Sequence, residues 1–97
     1  DEKTLLEVFE GLPQETITRS DYEATANVVD LLSETTRQLV FKSKGEARRM
    51  IQQGGVSINK EKITSADAEA NFTLLQNKYL LIQRGKKNHY LLHVTDE

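Results

Sequence analysis

Apolar residues fall at helical spacing along some stretches of the chain and in short extended runs along others, with turn formers between them. Lys3–Phe9 places Leu5, Leu6 and Phe9 on one face of a short helical turn, which Gly11-Leu12-Pro13 then breaks. Glu15–Thr18 reads as extended. Ser20-Asp21-Tyr22-Glu23 reads as a helix start with Ser20 as its cap, and a second helix is expected over 27–34 with Val28, Leu31 and Leu32 inward. Leu39-Val40-Phe41 is an apolar connector into the clearest helix of the chain. There Ser43 is the N-cap, Glu46 three residues later completes a capping box, and Ala47, Met50 and Ile51 share one arc at ~100° per residue. Gly54 and Gly55 end that helix. Val56-Ser57-Ile58 reads as a strand, Asn59-Lys60 as a turn and Glu61-Lys62-Ile63 as a short partner strand. Residues 64–77 form a polar loop with room for a turn or two of helix. Tyr79–Gln83 and Tyr90–Val94 read as two strands joined by Arg84–His89. The expected fold is α+β: two or three helices packed on a short, mostly antiparallel sheet.

The helix that starts at Ser43 presents a polar stripe beside its apolar arc. Lys44, Arg48 and Gln52 lie at i, i+4 and i+8, and Arg49 extends them. Lys and Arg on such a stripe neutralise phosphates, Gln52 and Gln53 suit sugar hydroxyls, and the amides near Ser43 suit a phosphate. Lys42 and Lys60 flank the stripe. Arg84-Gly85-Lys86-Lys87-Asn88 is a second basic segment, placed in the hairpin connection. Tyr90, which follows, is a base-stacking candidate or a core residue of its strand. The alternative readings are the charged outer face of any amphipathic helix and a solvated hairpin tip.

Composition sharpens this picture through clustering. The 97 residues carry a net charge of −2, yet residues 1–41 hold nine acids and three bases, whereas residues 42–62 hold six bases and two acids. Residues 84–94 add three bases and no acid. A local basic patch outweighs an acidic overall balance as a footprint for nucleic acid. The length fits one small domain with a modest core. The chain has no cysteine, hence no disulfide framework and no thiolate zinc site, and no apolar run approaches the ~20 residues that span a bilayer. The lack of cysteine fits the cytoplasm, and no membrane partner is expected. His89 and His93 lie about 13 Å apart if they share a strand, too far to share one metal ion. No nucleophile elbow, Gly-rich phosphate loop or Cys/His pair is present. The chain does not begin with Met and reads as a piece of a longer protein.

The stretch Ser43-Lys44, Ala47-Arg48, Ile51, Gly54, Val56, Ile58, Asn59 resembles the small RNA-binding module first seen in ribosomal small-subunit protein four, the alpha-L motif. Leu81–Leu92 resembles the end of bacterial tyrosyl-tRNA synthetases. Leu6–Pro13 is similar to the segment that links their helical domain to their C-terminal module. Where the family usually has Asn-Gly at the turn, this chain has Asn59-Lys60. The resemblance implies a connector over residues 1–19 and a tRNA-binding module over residues 20–97. It implies tRNA(Tyr) as partner, with contacts from Lys42, Ser43, Lys44, Arg48, Arg49, Gln52, Gln53, Lys60, Arg84, Lys86, Lys87 and Asn88. It also implies a parent enzyme, homodimeric through its catalytic domain, that uses ATP with magnesium and tyrosine. The synthetase signatures His-Ile-Gly-His and Lys-Met-Ser-Lys-Ser are absent, so this piece is expected to bind no cofactor and to lack catalysis of its own. The same module in a pseudouridine synthase or a ribosome-associated factor, or a protein-interaction domain with a basic face, are the alternatives.

Overall fold

The computed structural model describes residues 11–96; the helical turn expected over 3–9 lies outside them. Strand β1 (Gln14–Thr18) runs into helix α1 (Arg19–Ala24). Helix α2 starts at Val28–Asp30 and continues as a π-helical turn over Leu31–Thr35. Helix α3 (Lys44–Gln52) is followed by β2 (Val56–Ile58), β3 (Glu61–Lys62), β4 (Tyr79–Arg84) and β5 (Asn88–Thr95). The strands form one sheet in the order β1-β5-β4-β2-β3, antiparallel throughout except for the parallel β1–β5 pair. This is the expected α+β module. Gln14–Thr18, expected within the connector, supplies an edge strand, and Ile17 from it enters the core.

Period-two side-chain alternation sends Ile17, Val56, Ile58, Leu80, Ile82, Leu92 and Val94 into one cluster with Tyr22, Val28, Leu31, Leu32, Ala47 and Ile51 from the helices. Tyr79, Leu81 and Leu91 are buried as well, and the Tyr79 ring stacks on His93 with centroids 5.0 Å apart. His89 and His93 do share β5.

Three local expectations change. Helix α1 is capped by Thr18, whose hydroxyl accepts the Asp21 N–H at 3.0 Å, and Ser20 lies inside the helix. The end of β1 already holds Thr18 extended, so its side chain meets the first free amides two residues earlier than Ser20 would. The π turn in α2 surrounds Ser33, a buried residue whose hydroxyl donates to the Val29 carbonyl at 2.7 Å. Such back-bonding competes with the regular helix ladder. The 64–77 loop holds no helix. Its backbone bonds elsewhere: the Ala68 carbonyl accepts the Val28 N–H, and Tyr22 holds Phe72. The Asn59-Lys60 turn remains tight without its glycine. Both residues have positive φ, 52° and 71°, as a type I′ turn requires.

Candidate nucleic-acid interface

Ser43 is extended and accepts the Glu46 N–H at 3.2 Å, so the first half of the expected capping box is in place. The second half is not used as expected. Glu46 turns its carboxylate to Arg84, Oε1 to Nη2 at 3.2 Å. Helix α3 ends in a Schellman motif: the Gly55 N–H reaches the Met50 carbonyl and the Gly54 N–H the Ile51 carbonyl, both at 2.9 Å. Gly54 has φ +75°, which favours glycine, and a Cβ on Gly55 would fall 2.7 Å from the Met50 methyl. Ala47 and Ile51 are buried and Met50 packs beside them, so the helix rotates as the apolar arc predicted.

That rotation leaves Lys42, Ser43, Lys44, Arg48, Arg49, Gln52 and Gln53 exposed. Lys44 is nevertheless engaged. Its ammonium lies 3.1 Å from Asp30 and 3.2 Å from Glu34, clamping α3 to α2. Asp30 first, and Glu34 after it, hold this lysine above the ordinary value of 10.5. Beside that clamp an acidic cleft of about 380 Å³ is lined by Asp21, Asp30 and Glu34 with Arg37. The cationic surface therefore has an acidic border at the start of α3 and opens toward Arg48, Arg49 and Gln52.

The β4–β5 connection turns over residues 85–87 between the paired Arg84 and Asn88. Gly85 has φ +69°, and its N–H donates to the Gly55 carbonyl at 2.7 Å. The hairpin tip thus touches the chain just beyond α3, and Lys86, Lys87 and Asn88 project from it exposed. Arg84 itself is half-buried. Its guanidinium donates to the Val40 carbonyl at 2.9 Å, bonds Glu46 and lies 4.8 Å from the centre of the Phe41 ring. Tyr90 is partly buried and packs on the core.

Lys60 stands apart from this group. The β2–β3 turn is anchored where the Asn59 and Leu81 backbones bond, about four residues or ~13 Å along β4 from Gly85. Asn59 is the reason the turn sits there. Its side chain accepts the Leu81 N–H at 2.9 Å and donates to the Thr73 carbonyl at 2.8 Å. One cation not singled out from the sequence joins the end of α3. The Lys62 ammonium lies 3.6 Å from where a Cβ on Gly54 would be. Its position depends on the hairpin register, Ser57 opposite Lys62, which no local pattern specified. Among the described residues no group of three or more metal-ligating side chains gathers.

A capped cationic helix lies beside a cationic hairpin tip, both fixed to the one small sheet of an α+β module. The chain belongs to the family described as the tyrosine–tRNA ligase SYY-like C-terminal domain, whose model matches residues 4–92. It is 59% identical over 91 residues to a tyrosine–tRNA ligase of Cytophaga hutchinsonii, covering 94% of this chain and 21% of that protein. To the tyrosine–tRNA ligase of Parabacteroides distasonis it is 52% identical, covering 95% of this chain and 21% of the relative. For that of Amoebophilus asiaticus the identity is 46%, with 97% and 22% covered. The chain thus spans about a fifth of the length of these relatives.

Proposed function

We propose that this chain is the tRNA-binding C-terminal module of a tyrosine–tRNA ligase. It docks tRNA(Tyr) by phosphate and shape contacts, so that the 3′ end reaches a catalytic domain outside this chain. The observation that carries the reading is the exposed set Arg48, Arg49 and Gln52 on α3 with Gln53 at its C-cap, beside Lys86, Lys87 and Asn88 on the hairpin tip. The Gly85–Gly55 backbone bond holds the two cationic elements next to each other, so together they can neutralise several phosphates at once. Lys42 and Ser43 flank the start of the helix, and Lys60 reaches a separate stretch of backbone. Lys44 contributes through the border it forms with Asp30 and Glu34. In this reading the contact lies near the anticodon stem and the long variable arm of the tRNA.

In this reading the parent enzyme acts in the cytoplasm as a homodimer joined through its catalytic domain. That domain handles ATP with magnesium and tyrosine, and the chain described here takes no part in activating tyrosine. No helix among the described residues is long and apolar enough to cross a membrane. The test is salt-titrated binding of the chain to tRNA(Tyr), to a non-cognate tRNA and to an acidic peptide. Expected is binding to tRNA that weakens steeply with salt, and little binding to the peptide. Preference for the peptide would replace the RNA reading with that of a protein-interaction module.

A further inference from the structure

Arg84 sits between the two cationic elements and spends its donors inward. One guanidinium nitrogen donates to the Val40 carbonyl at 2.9 Å, the other to Glu46 Oε1 at 3.2 Å. The same group lies against the face of the buried Phe41 ring, 4.8 Å from its centre. Its three partners belong to the connector before α3 and to the first turn of α3. The residue that follows it in the chain is Gly85, where the hairpin turn begins and where the backbone bonds Gly55 just beyond the other end of α3. A planar fork that stacks on a ring and reaches two acceptors at once is a geometry arginine has and lysine lacks.

Resting on the RNA-binding reading above, we infer that Arg84 is a positioning residue. It locks the start of α3 to the hairpin tip, so that Arg48 and Arg49 engage the RNA backbone together with Lys86 and Lys87, and it is not itself a phosphate ligand. The side chains of Arg84 and Glu46 are each 35% exposed and already paired, so a phosphate approaching Arg84 would meet the Glu46 carboxylate beside it. Glu46 has the matching part. It is a negative charge on a helix offered to a polyanion, and its place there is explained by holding Arg84.

Direct contact and positioning make opposite predictions for charge. If Arg84 bound phosphate, Arg84→Lys would keep the charge and most of the affinity, and Glu46→Ala, which removes a negative charge near RNA, would tighten binding. If Arg84 positions, both changes weaken binding, by about tenfold and about fivefold respectively. Applied together, they cost little more than Arg84→Lys alone. Phe41→Leu, which removes the ring and keeps an apolar side chain, should reproduce part of the loss.

The experiment measures tRNA(Tyr) affinity against salt for the 97-residue chain and these variants, each at a temperature well below its own melting point. Replacing Lys86 and Lys87 together with Ala should lower the log-affinity versus log-salt slope by more than ~1 in the parent, at ~0.7–0.9 per phosphate contact. In the Arg84→Lys background the same pair should lower it by less than half as much, because the tip no longer engages together with the helix. A general loss of stability would not alter that slope difference. Parent-like affinity for Arg84→Lys together with tighter binding for Glu46→Ala would overturn the inference and leave the RNA-binding reading intact. A parent chain that binds no tRNA would overturn both.

Discussion

The Tyr22 hydroxyl donates to the Phe72 carbonyl at 3.1 Å and accepts the Phe72 N–H at 2.9 Å, so one side chain in α1 satisfies both backbone groups of a loop residue 50 positions away. Tyr22→Phe leaves that N–H and that carbonyl without their partner and should cost about 1–3 kcal/mol in a denaturant titration. Burial, as the largest influence, raises the Tyr22 pKa above the ordinary 10.0. The unfolded chain therefore releases this proton first as pH rises. The contribution is complete below pH 10.0 and is lost as pH climbs through the raised value. Lys44, raised by Asp30 and Glu34, runs in the same direction from 10.5. The melting temperature of the parent should then fall more steeply above about pH 10 than that of Tyr22→Phe. Parallel curves would assign the alkaline loss to other groups. Tyr22 was readable as part of a helix start, but its partner was not, because nothing near it in sequence names Phe72.

At the scale of the element, α3 separates a buried apolar face from an exposed cationic one by rotation alone. Ile51 is 2% exposed and touches the core, so Ile51→Ala should cost about 2–5 kcal/mol. Arg48 is exposed on the other side, so Arg48→Ala should change stability by less than about 0.5 kcal/mol while weakening tRNA binding. Chemical denaturation and filter binding on the two variants check the split. A silent Ile51→Ala, or a destabilising Arg48→Ala, would mean that the helix is rotated from its described setting. This helix was legible from its own residues. The Ser43 cap, the 47/50/51 arc and the glycine stop all act within a few positions of one another. The destination of Glu46 was not legible, since Arg84 lies 38 residues on and competes with the local cap for the same carboxylate. The Ser20 cap failed for a related reason: the strand before it presents Thr18 to the helix first.

Across the whole molecule, the salt dependence of the proposed tRNA binding counts the basic side chains that meet phosphates at once. The Lys86/Lys87 double replacement by Ala should flatten the slope by somewhat more than one unit and weaken cognate and non-cognate tRNAs about equally, because phosphate contacts carry no base identity. An unchanged slope would return the tip to a solvated turn. Loss for the cognate tRNA alone would mean that the tip reads a feature of that tRNA. The charge segregation behind this prediction was visible along the chain. Its arrangement in space was not, because it depends on β4 pairing with both β2 and β5.

Elements whose signals are local could be read along the chain: α3 with its Ser43 cap and glycine stop, the 59–60 turn, the two long strands and the basic stretches around them. Short-range patterns suffice there because apolar period, capping chemistry and turn residues act over a few bonds. Packing set the contacts between residues far apart in the chain. It made Gln14–Thr18 a strand parallel to β5, bent α2 into a π turn around the buried Ser33 and pinned the 64–77 loop to Tyr22 and Val28. It paired Lys44 with α2 and turned Arg84 inward, while Lys86 and Lys87, the next bases after it, remain exposed. The π turn, the pinned loop and the inward Arg84 rest on polar groups finding buried partners, and the Lys44 clamp on an ion pair; such partners are selected by packing in three dimensions rather than by neighbours in the chain.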